Sequence, residues 1–314
     1  MNYPGDLDGA VAAWLEGRGG VVEATAALSR AYRAGHSSSG LDLSAYLVTR
    51  VPATFAANQR VQAALVEAWP EFSPRSLLDI GTGPGTASWA ACDQWPQLQS
   101  VIQCEQDPRF AALALDLNTG SELAVLQAAK VLRSSEIALP PDVRADLVVV
   151  SYMLAELPLA SMAATALRLW QRAEQVLVLI EPGTPQGFER LRIVREVLLG
   201  QKAFVIAPCT HQSLCPMSAK NWCHFKTRVQ RSRAHMHAKQ GTVPFEDEAF
   251  SYLVLSRQPV PQSGGRVVAP ITVNKVAASL PLCDASGLRH EVIASRDKPA
   301  YKRAKKAGWG DIWA

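Results

Sequence analysis

Leu77-Leu78-Asp79-Ile80-Gly81-Thr82-Gly83-Pro84-Gly85-Thr86-Ala87-Ser88-Trp89-Ala90-Ala91 reads as the end of a strand, a glycine turn and the start of a helix. The apolar run Leu77, Leu78 and Ile80 carries one acid, Asp79, and gives way to Gly81, Gly83 and Gly85. Glycines at such a turn let the backbone approach a ligand, and the helix that follows offers it free N–H groups. A dinucleotide fingerprint would place its third glycine at position 86, where Thr86 stands, which weighs against an NAD enzyme. The plain alternative is a glycine turn of an α/β domain that holds nothing.

Outward from the loop, strand and helix patterns alternate. Strands are expected at 76–80, 100–104, 123–126, 146–152, 175–180 and 203–207, with helices at 85–95, 108–117, from about 159 to 174, and 186–199. Continuous apolar strands between helices are what a parallel sheet covered on both faces requires. Residues 250–256 then fit a final antiparallel strand. The spacing Gly81-x-Gly83-x-Gly85, with an acid two residues ahead, resembles motif I of class I S-adenosylmethionine (SAM)-dependent methyltransferases. Glu105 ends the second strand about twenty residues past the loop, where a carboxylate can accept the two ribose hydroxyls. The expected SAM site is therefore Asp79, Gly81, Gly83, Gly85 and Glu105, with Tyr152 lining the pocket after the fourth strand. No motif in the sheet names a general base. The Asn/Asp-Pro-Pro-Tyr/Phe signature of amino-methyltransferases is replaced by Ser151-Tyr152-Met153-Leu154, and no nucleophilic cysteine follows strand four or five.

Before the sheet, residues 7–70 read as helical, with a loop at 35–40 and a break at Arg50-Val51-Pro52-Ala53-Thr54. Three regions follow: a helical one at 1–70, an α/β domain at 71–257 with an insertion at 208–249, and a β-rich module with a basic tail at 258–314. With 314 residues and 48% apolar content the chain can bury a sizeable core. It has no apolar run of the roughly 18–20 residues that span a bilayer. Its beginning lacks the layout of a signal or transit peptide. The expectation is a soluble protein of a bacterial-type cytoplasm, without membrane attachment.

Cysteine and positive charge gather in the last third. Cys92 and Cys104 lie in front, whereas Cys209, Cys215, Cys223 and Cys283 follow as Cys-x5-Cys-x7-Cys-x59-Cys. Four thiolates suffice for an iron–sulfur cluster or a tetrahedral zinc. Zinc more often shows tight C-x2-C pairs, absent here, and neither common ferredoxin spacing fits, so spacing leaves the metal open, with four unrelated cysteines as the remaining reading. His211, His224, His235 and His237 are alternative ligands, although His235-Met236-His237 reads as extended chain on a basic face. Lys220, Lys226, Arg228, Arg231 and Arg233 form one acid-free block, and Lys302, Arg303, Lys305 and Lys306 another. Trp222, Phe225, Tyr301 and Trp309 interleave with them, a mixture suited to RNA, where cations meet phosphate and rings stack on bases.

Several stretches together resemble one family. They are residues 46–54 with Arg50-Val51-Pro52-Ala53-Thr54, the loop at 79–85, Glu181-Pro182-Gly183-Thr184-Pro185-Gln186-Gly187-Phe188, Cys215-Pro216, Cys223-His224-Phe225, and the tail Lys302-Arg303-Ala304-Lys305-Lys306-Ala307-Gly308-Trp309-Gly310-Asp311-Ile312-Trp313. From about residue 41 to its end the chain is similar to the methyltransferase-like assembly factors of the small ribosomal subunit, known from mitochondria and with bacterial relatives. The resemblance implies a class I SAM methyltransferase fold, mostly parallel with an antiparallel last strand, that binds small-subunit ribosomal RNA. It also implies a 4Fe-4S cluster held by cysteines that map onto Cys209, Cys215, Cys223 and Cys283. Off the ribosome the protein is expected to be monomeric. Two rivals stand beside this reading: an active ribosomal RNA methyltransferase, and a zinc-bound RNA-binding module on a vestigial sheet.

Overall fold

The computed structural model describes residues 5–18, 20–33, 41–218 and 220–314; the expected loop at 35–40 lies outside them. Four helices come first: α1 (Gly5–Leu15), α2 (Val21–Arg33), α3 (Leu43–Thr49) and α4 (Val51–Ala68). The expected break narrows to Arg50, and Val51 ahead of the proline is itself helical. Pro52 lies in the first turn of α4, where its missing N–H leaves no hydrogen bond unmade. Then follow β1 (Ser76–Ile80), α5 (Thr86–Gln94), β2 (Ser100–Glu105), α6 (Pro108–Thr119), α7 (Ala124–Gln127), β3 (Lys130–Arg133), β4 (Ala145–Ser151), α8 (Met162–Arg172), β5 (Ala173–Pro182), α9 (Pro185–Leu199) and β6 (Phe204–Ala207). The chain continues through β7 (Phe225–Gln230), α10 (Arg233–Ala238) and β8 (Phe245–Ser256). It ends with β9 (Gly265–Val267), β10 (Thr272–Val273), β11 (Ala277–Asp284), β12 (Gly287–Ala294), α11 (Lys298–Ala304) and β13 (Ile312–Trp313).

The main sheet runs β3-β2-β1-β4-β5-β8-β6. Its strands from β3 to β5 are parallel, and β8 lies antiparallel between β5 and β6. That order with its one reversed strand is the class I SAM methyltransferase-like fold. Alternate residues of each strand feed two cores. Leu77, Val101, Val149 and Val178 face α4, α5 and α6, whereas Leu78, Val148, Val150 and Leu179 face α8 and α9. A second sheet, β10-β11-β9-β13 with β12 on β11, closes over its own core of Val267, Leu280, Leu282, Ala304 and Trp313. Among the described residues no helix is long and apolar enough to cross a membrane.

Two expectations need correction. Residues 124–126 belong to helix α7, with Leu123 at its N-cap, and the third strand lies later, at Lys130–Arg133. The Ser121 hydroxyl accepts the Leu123 N–H at 3.0 Å and starts a turn that buries Leu126; so short an apolar run carries no period to separate helix from strand. The last strand begins at Phe245 instead of 250. Its first half pairs with β7, in register from Phe225↔Phe250 to Gln230↔Phe245, so part of the insertion is added sheet.

Where β5 ends, Gly183 lets the chain pass against β8: a Cβ there would lie 2.8 Å from the Ala249 carbonyl carbon and 2.8 Å from the Phe250 nitrogen. Both neighbours are backbone and cannot yield singly. A Gly183→Ala variant is expected to lose about 1–3 kcal/mol of stability, read from chemical denaturation, and wild-type stability would contradict this packing.

Candidate functional sites

At the C-terminal edge of the parallel strands, the three loop glycines do different work. All have positive φ, at +70° for Gly81, +54° for Gly83 and +87° for Gly85. A Cβ on Gly81 would strike Met153 at 2.6 Å, and one on Gly85 would strike Gln103 Nε2 at 2.7 Å, so both are required by the protein's own packing. Gly83 faces open space, with the Tyr46 hydroxyl 4.0 Å from its notional Cβ.

The two acids flank this loop. Asp79 is fully buried and accepts hydrogen bonds from Thr82 Oγ1 at 2.7 Å, Ser88 Oγ at 2.8 Å and the Ser88 N–H at 3.1 Å. It buckles the loop onto α5. Burial raises its pKa to about 6 against those bonds. Glu105 accepts the N–H of Gly83 and that of Asp107, both at 2.9 Å, and burial raises its pKa too. The carboxylate thus stands over the open glycine, with lone pairs left for hydroxyl donors. The helix N-terminus and this acid make a set that fits the ribose and amino-acid ends of SAM.

Tyr152 follows β4 with φ +60°, a strained conformation for a non-glycine residue. Its hydroxyl donates to Glu248 Oε1 at 3.1 Å, and Arg50 grips the same carboxylate at 3.0 and 3.3 Å. Its neighbour Ser151 accepts from Asn58 Nδ2 at 2.9 Å. The residues after strand four are therefore tied to α4 and β8 by the chain's own bonds. Arg50 was read only as part of the break at 50–54 and Glu248 not at all, because their partnership spans nearly two hundred positions and follows no local pattern.

The four late cysteines come together. Cys209, Cys215, Cys223 and Cys283 line one cavity with Pro208, His211, Met217 and Arg195. Three arrive on the segment between β6 and β7, and the fourth on β11. Burial first, then the neighbouring cysteines, pushes the Cys223 thiol upward, and the same causes raise Cys283 to about 12. His211 Nε2 lies 3.6 Å from Cys283 Sγ. Among the described residues, no group of three or more His, Cys, Asp or Glu side chains is placed so that it could hold a metal ion, so the four cysteines share a cavity without closing on one ion. Cys92 and Cys104 are buried in the main sheet's cores, away from this cavity.

The first basic block is less free than its sequence indicates. Arg228 pairs with Asp247 at 3.0 Å, and Glu246 takes Arg231 at 2.8 Å and Lys239 at 2.7 Å. The acids of β8 neutralise Arg228 on β7 and Arg231 and Lys239 beyond it, a pairing hidden by their distance in sequence. His235 lies on helix α10, not on extended chain, because the Ser232 hydroxyl caps that helix by accepting the His235 N–H. Its ring is fully buried 3.4 Å from Glu246, and burial lowers its pKa to about 4. Lys220, Lys226 and Arg233 remain exposed, as do Lys302, Arg303, Lys305 and Lys306 on or beside α11. Lys226 stands 5.7 Å from the Trp309 ring centre, and Trp222, His224 and Trp309 pack in sequence at 5.2 and 4.8 Å. One aromatic row thus joins the insertion to the tail.

A family model described as mitochondrial small ribosomal subunit Rsm22 matches residues 41–314. The human protein named "Ribosome assembly protein METTL17, mitochondrial" is 28% identical over 313 residues, which cover 94% of this chain and 67% of that protein. In Schizosaccharomyces pombe, "Rsm22-cox11 tandem protein 2, mitochondrial" is 23% identical over 76% of this chain and only 38% of its own length. Among solved structures, the SAM-bound magnesium protoporphyrin IX methyltransferase of Synechocystis aligns with a TM-score of 0.44 at 13% identity, covering 82% of this chain and all of that one. The N-methyltransferase NodS of Bradyrhizobium japonicum gives 0.41 at 12%, covering 64% and 87%.

The raised pKa of Asp79 sets a pH dependence. The native state holds this proton more tightly than the unfolded chain, so the group's stabilising contribution is complete below pH about 4 and lost as pH rises through about 6. The stability difference between wild type and Asp79→Asn is expected to shift against the wild type by up to about 3 kcal/mol across that window. Calorimetry at pH 4, 5 and 6 checks this; a pH-independent difference would contradict a buried, titrating Asp79.

Proposed function

The chain belongs to the Rsm22 family of the mitochondrial small ribosomal subunit, and from that footing we propose that it is a SAM-binding, 4Fe-4S-bearing factor that docks on small-subunit ribosomal RNA and supports assembly of the subunit. The observation that carries this reading is the shared cavity of Cys209, Cys215, Cys223 and Cys283, three from one segment and one from a distant strand. Four thiols around a common space suit a polynuclear centre in donor type and number. Such a centre would fasten the insertion to the C-terminal sheet, and so hold Lys220 and Lys226 in fixed relation to Lys302, Arg303, Lys305 and Lys306. Those cations, with Trp222 and Trp309 between them, offer phosphate contacts and stacking faces to RNA. The assembly role is that stated in the name of the human relative.

Two observations favour binding over turnover. The position of the amino-methyltransferase signature is filled by Ser151 and Tyr152, and both are engaged by Asn58 and Glu248. The rival, a ribosomal RNA methyltransferase, keeps the same loop and the same Glu105; a single ribosomal methyl lost in a deletion strain would favour it over the binding factor.

Metal analysis of anaerobically purified protein tests the centre directly: about four iron and four sulfide per chain are expected, with brown absorbance, whereas one zinc and no colour would replace the cluster by the structural-zinc alternative. Cys223→Ser is expected to remove the chromophore and weaken binding to small-subunit ribosomal RNA, and unchanged iron and affinity in that variant would sink the proposal. For the loop, Glu105→Ala is expected to lower SAM affinity about tenfold to a hundredfold by calorimetric titration, the loss of one or two hydrogen bonds to a charged acceptor.

A further inference from the structure

Among the described residues two arginines are buried, Arg195 at 3% exposure and Arg266 at 1%; the first lines the cysteine cavity and the second lies opposite Cys283. Arg195 comes from the inner stripe of α9 and lines the cavity with all four thiols. It donates from Nη2 to the carbonyls of His211 and Ser213, at 3.2 and 2.7 Å. Arg266 is the cross-strand partner of Cys283, so their side chains share one face of the β9–β11 pair. It donates from Nε to the Pro208 carbonyl at 2.7 Å, next to Cys209, and from Nη1 to that of Gly310 at 2.8 Å.

Neither guanidinium meets a carboxylate. The ion pairs of the described residues involve other cations, and Arg195 Nε and Nη1 and Arg266 Nη2 are buried with no hydrogen-bond partner. Arg192 lines the same cavity and makes the contrast: Glu189 and Glu196 hold it at 2.7 Å each. A guanidinium stays charged at any physiological pH, and an unpaired buried charge costs several kcal/mol. Neutral thiols do not offset that cost. Four thiolates around a doubly positive core carry a net charge of about −2, which two guanidiniums balance.

We propose that Arg195 and Arg266 are the built-in counter-charges of an anionic four-thiolate metal centre, one supplied by α9 and the other by β9. This rests on the metal-bearing reading above. Their hydrogen bonds to the His211, Ser213, Pro208 and Gly310 carbonyls aim the cations, and their unpartnered nitrogens are the donors left for the cysteine sulfurs. They are positioning residues for the centre, and their charge raises its retention and its reduction potential.

The test compares Arg195→Gln and Arg266→Gln with Arg195→Lys and Arg266→Lys in the full chain, purified without oxygen. The readouts are metal per chain, the rate of metal loss to a chelator, and the midpoint potential where the metal is iron. Each Gln variant is expected to release metal at least tenfold faster than wild type and to shift the potential downward, while the Lys variants, which keep the charge but not the forked donors, recover most of both. In a Cys223→Ser background, where the anionic centre is missing, the same Gln changes are expected to leave the melting temperature unchanged or higher. The proposal is overturned if Gln and Lys variants are equally impaired, if Gln variants hold metal as wild type does, or if Arg→Gln lowers the melting temperature equally with and without Cys223. A wild-type chain free of metal would instead overturn the four-cysteine reading itself, and this proposal with it.

Discussion

Strand β8 is the constraint on which the two halves of this protein depend. Its last residues close the main sheet between β5 and β6, and its first residues pair with β7 of the insertion. Phe250 is the crossing point, opposite Pro182 on one side and Phe225 on the other. Because antiparallel register is fixed by alternation of buried and exposed side chains, sliding β7 by one residue would expose Phe225, Thr227 and Val229 together. The insertion is therefore locked in register to the methyltransferase-like sheet. Cys223 leads directly into β7, and Glu248 on β8 reaches back to Arg50 and Tyr152. One strand thereby spaces the thiol cavity from the glycine loop.

The fold was legible where the chemistry is local. Strand β1 falls at 76–80 as expected, and β2, α6 and α9 shift by two residues or fewer, because apolar runs, proline starts and glycine turns act within a few residues. The edge of the sheet was not legible. Strand β3 exposes Lys130 and Arg133 and shows no apolar run, while the apolar residues before it buried only Leu126 in a short helix. An edge strand needs less burial than a central one, so its sequence says less.

The sites divide in the same way. The loop and Glu105 are readable because the main chain itself brings them together. The gathering of four cysteines depends on β9, β11 and the insertion packing side by side; counting thiols grouped Cys283 with the other three, but spacing alone left four unrelated cysteines open. The basic block misled for an electrostatic reason: Arg228, Arg231 and Lys239 have partners on β8 that linear counting of charge does not connect to them. Arg195 did leave a trace. It interrupts the apolar stripe Leu191, Val194 and Leu198 of α9, where a charge signals an unusual neighbour.

The carboxylate of Glu105 has a kinetic consequence. It holds the Gly83 N–H while Asp79 pins Thr82 and Ser88, so the loop keeps its shape through bonds within the chain. A ligand entering there has little backbone left to order, and the entropy cost that slows and weakens binding to mobile loops is largely absent. For the proposed SAM, association would then run at the rate of a rigid pocket, and occupancy would follow ligand concentration without a conformational delay. In that sense the glycine loop is held in a receptive shape before any ligand of the proposed kind would arrive.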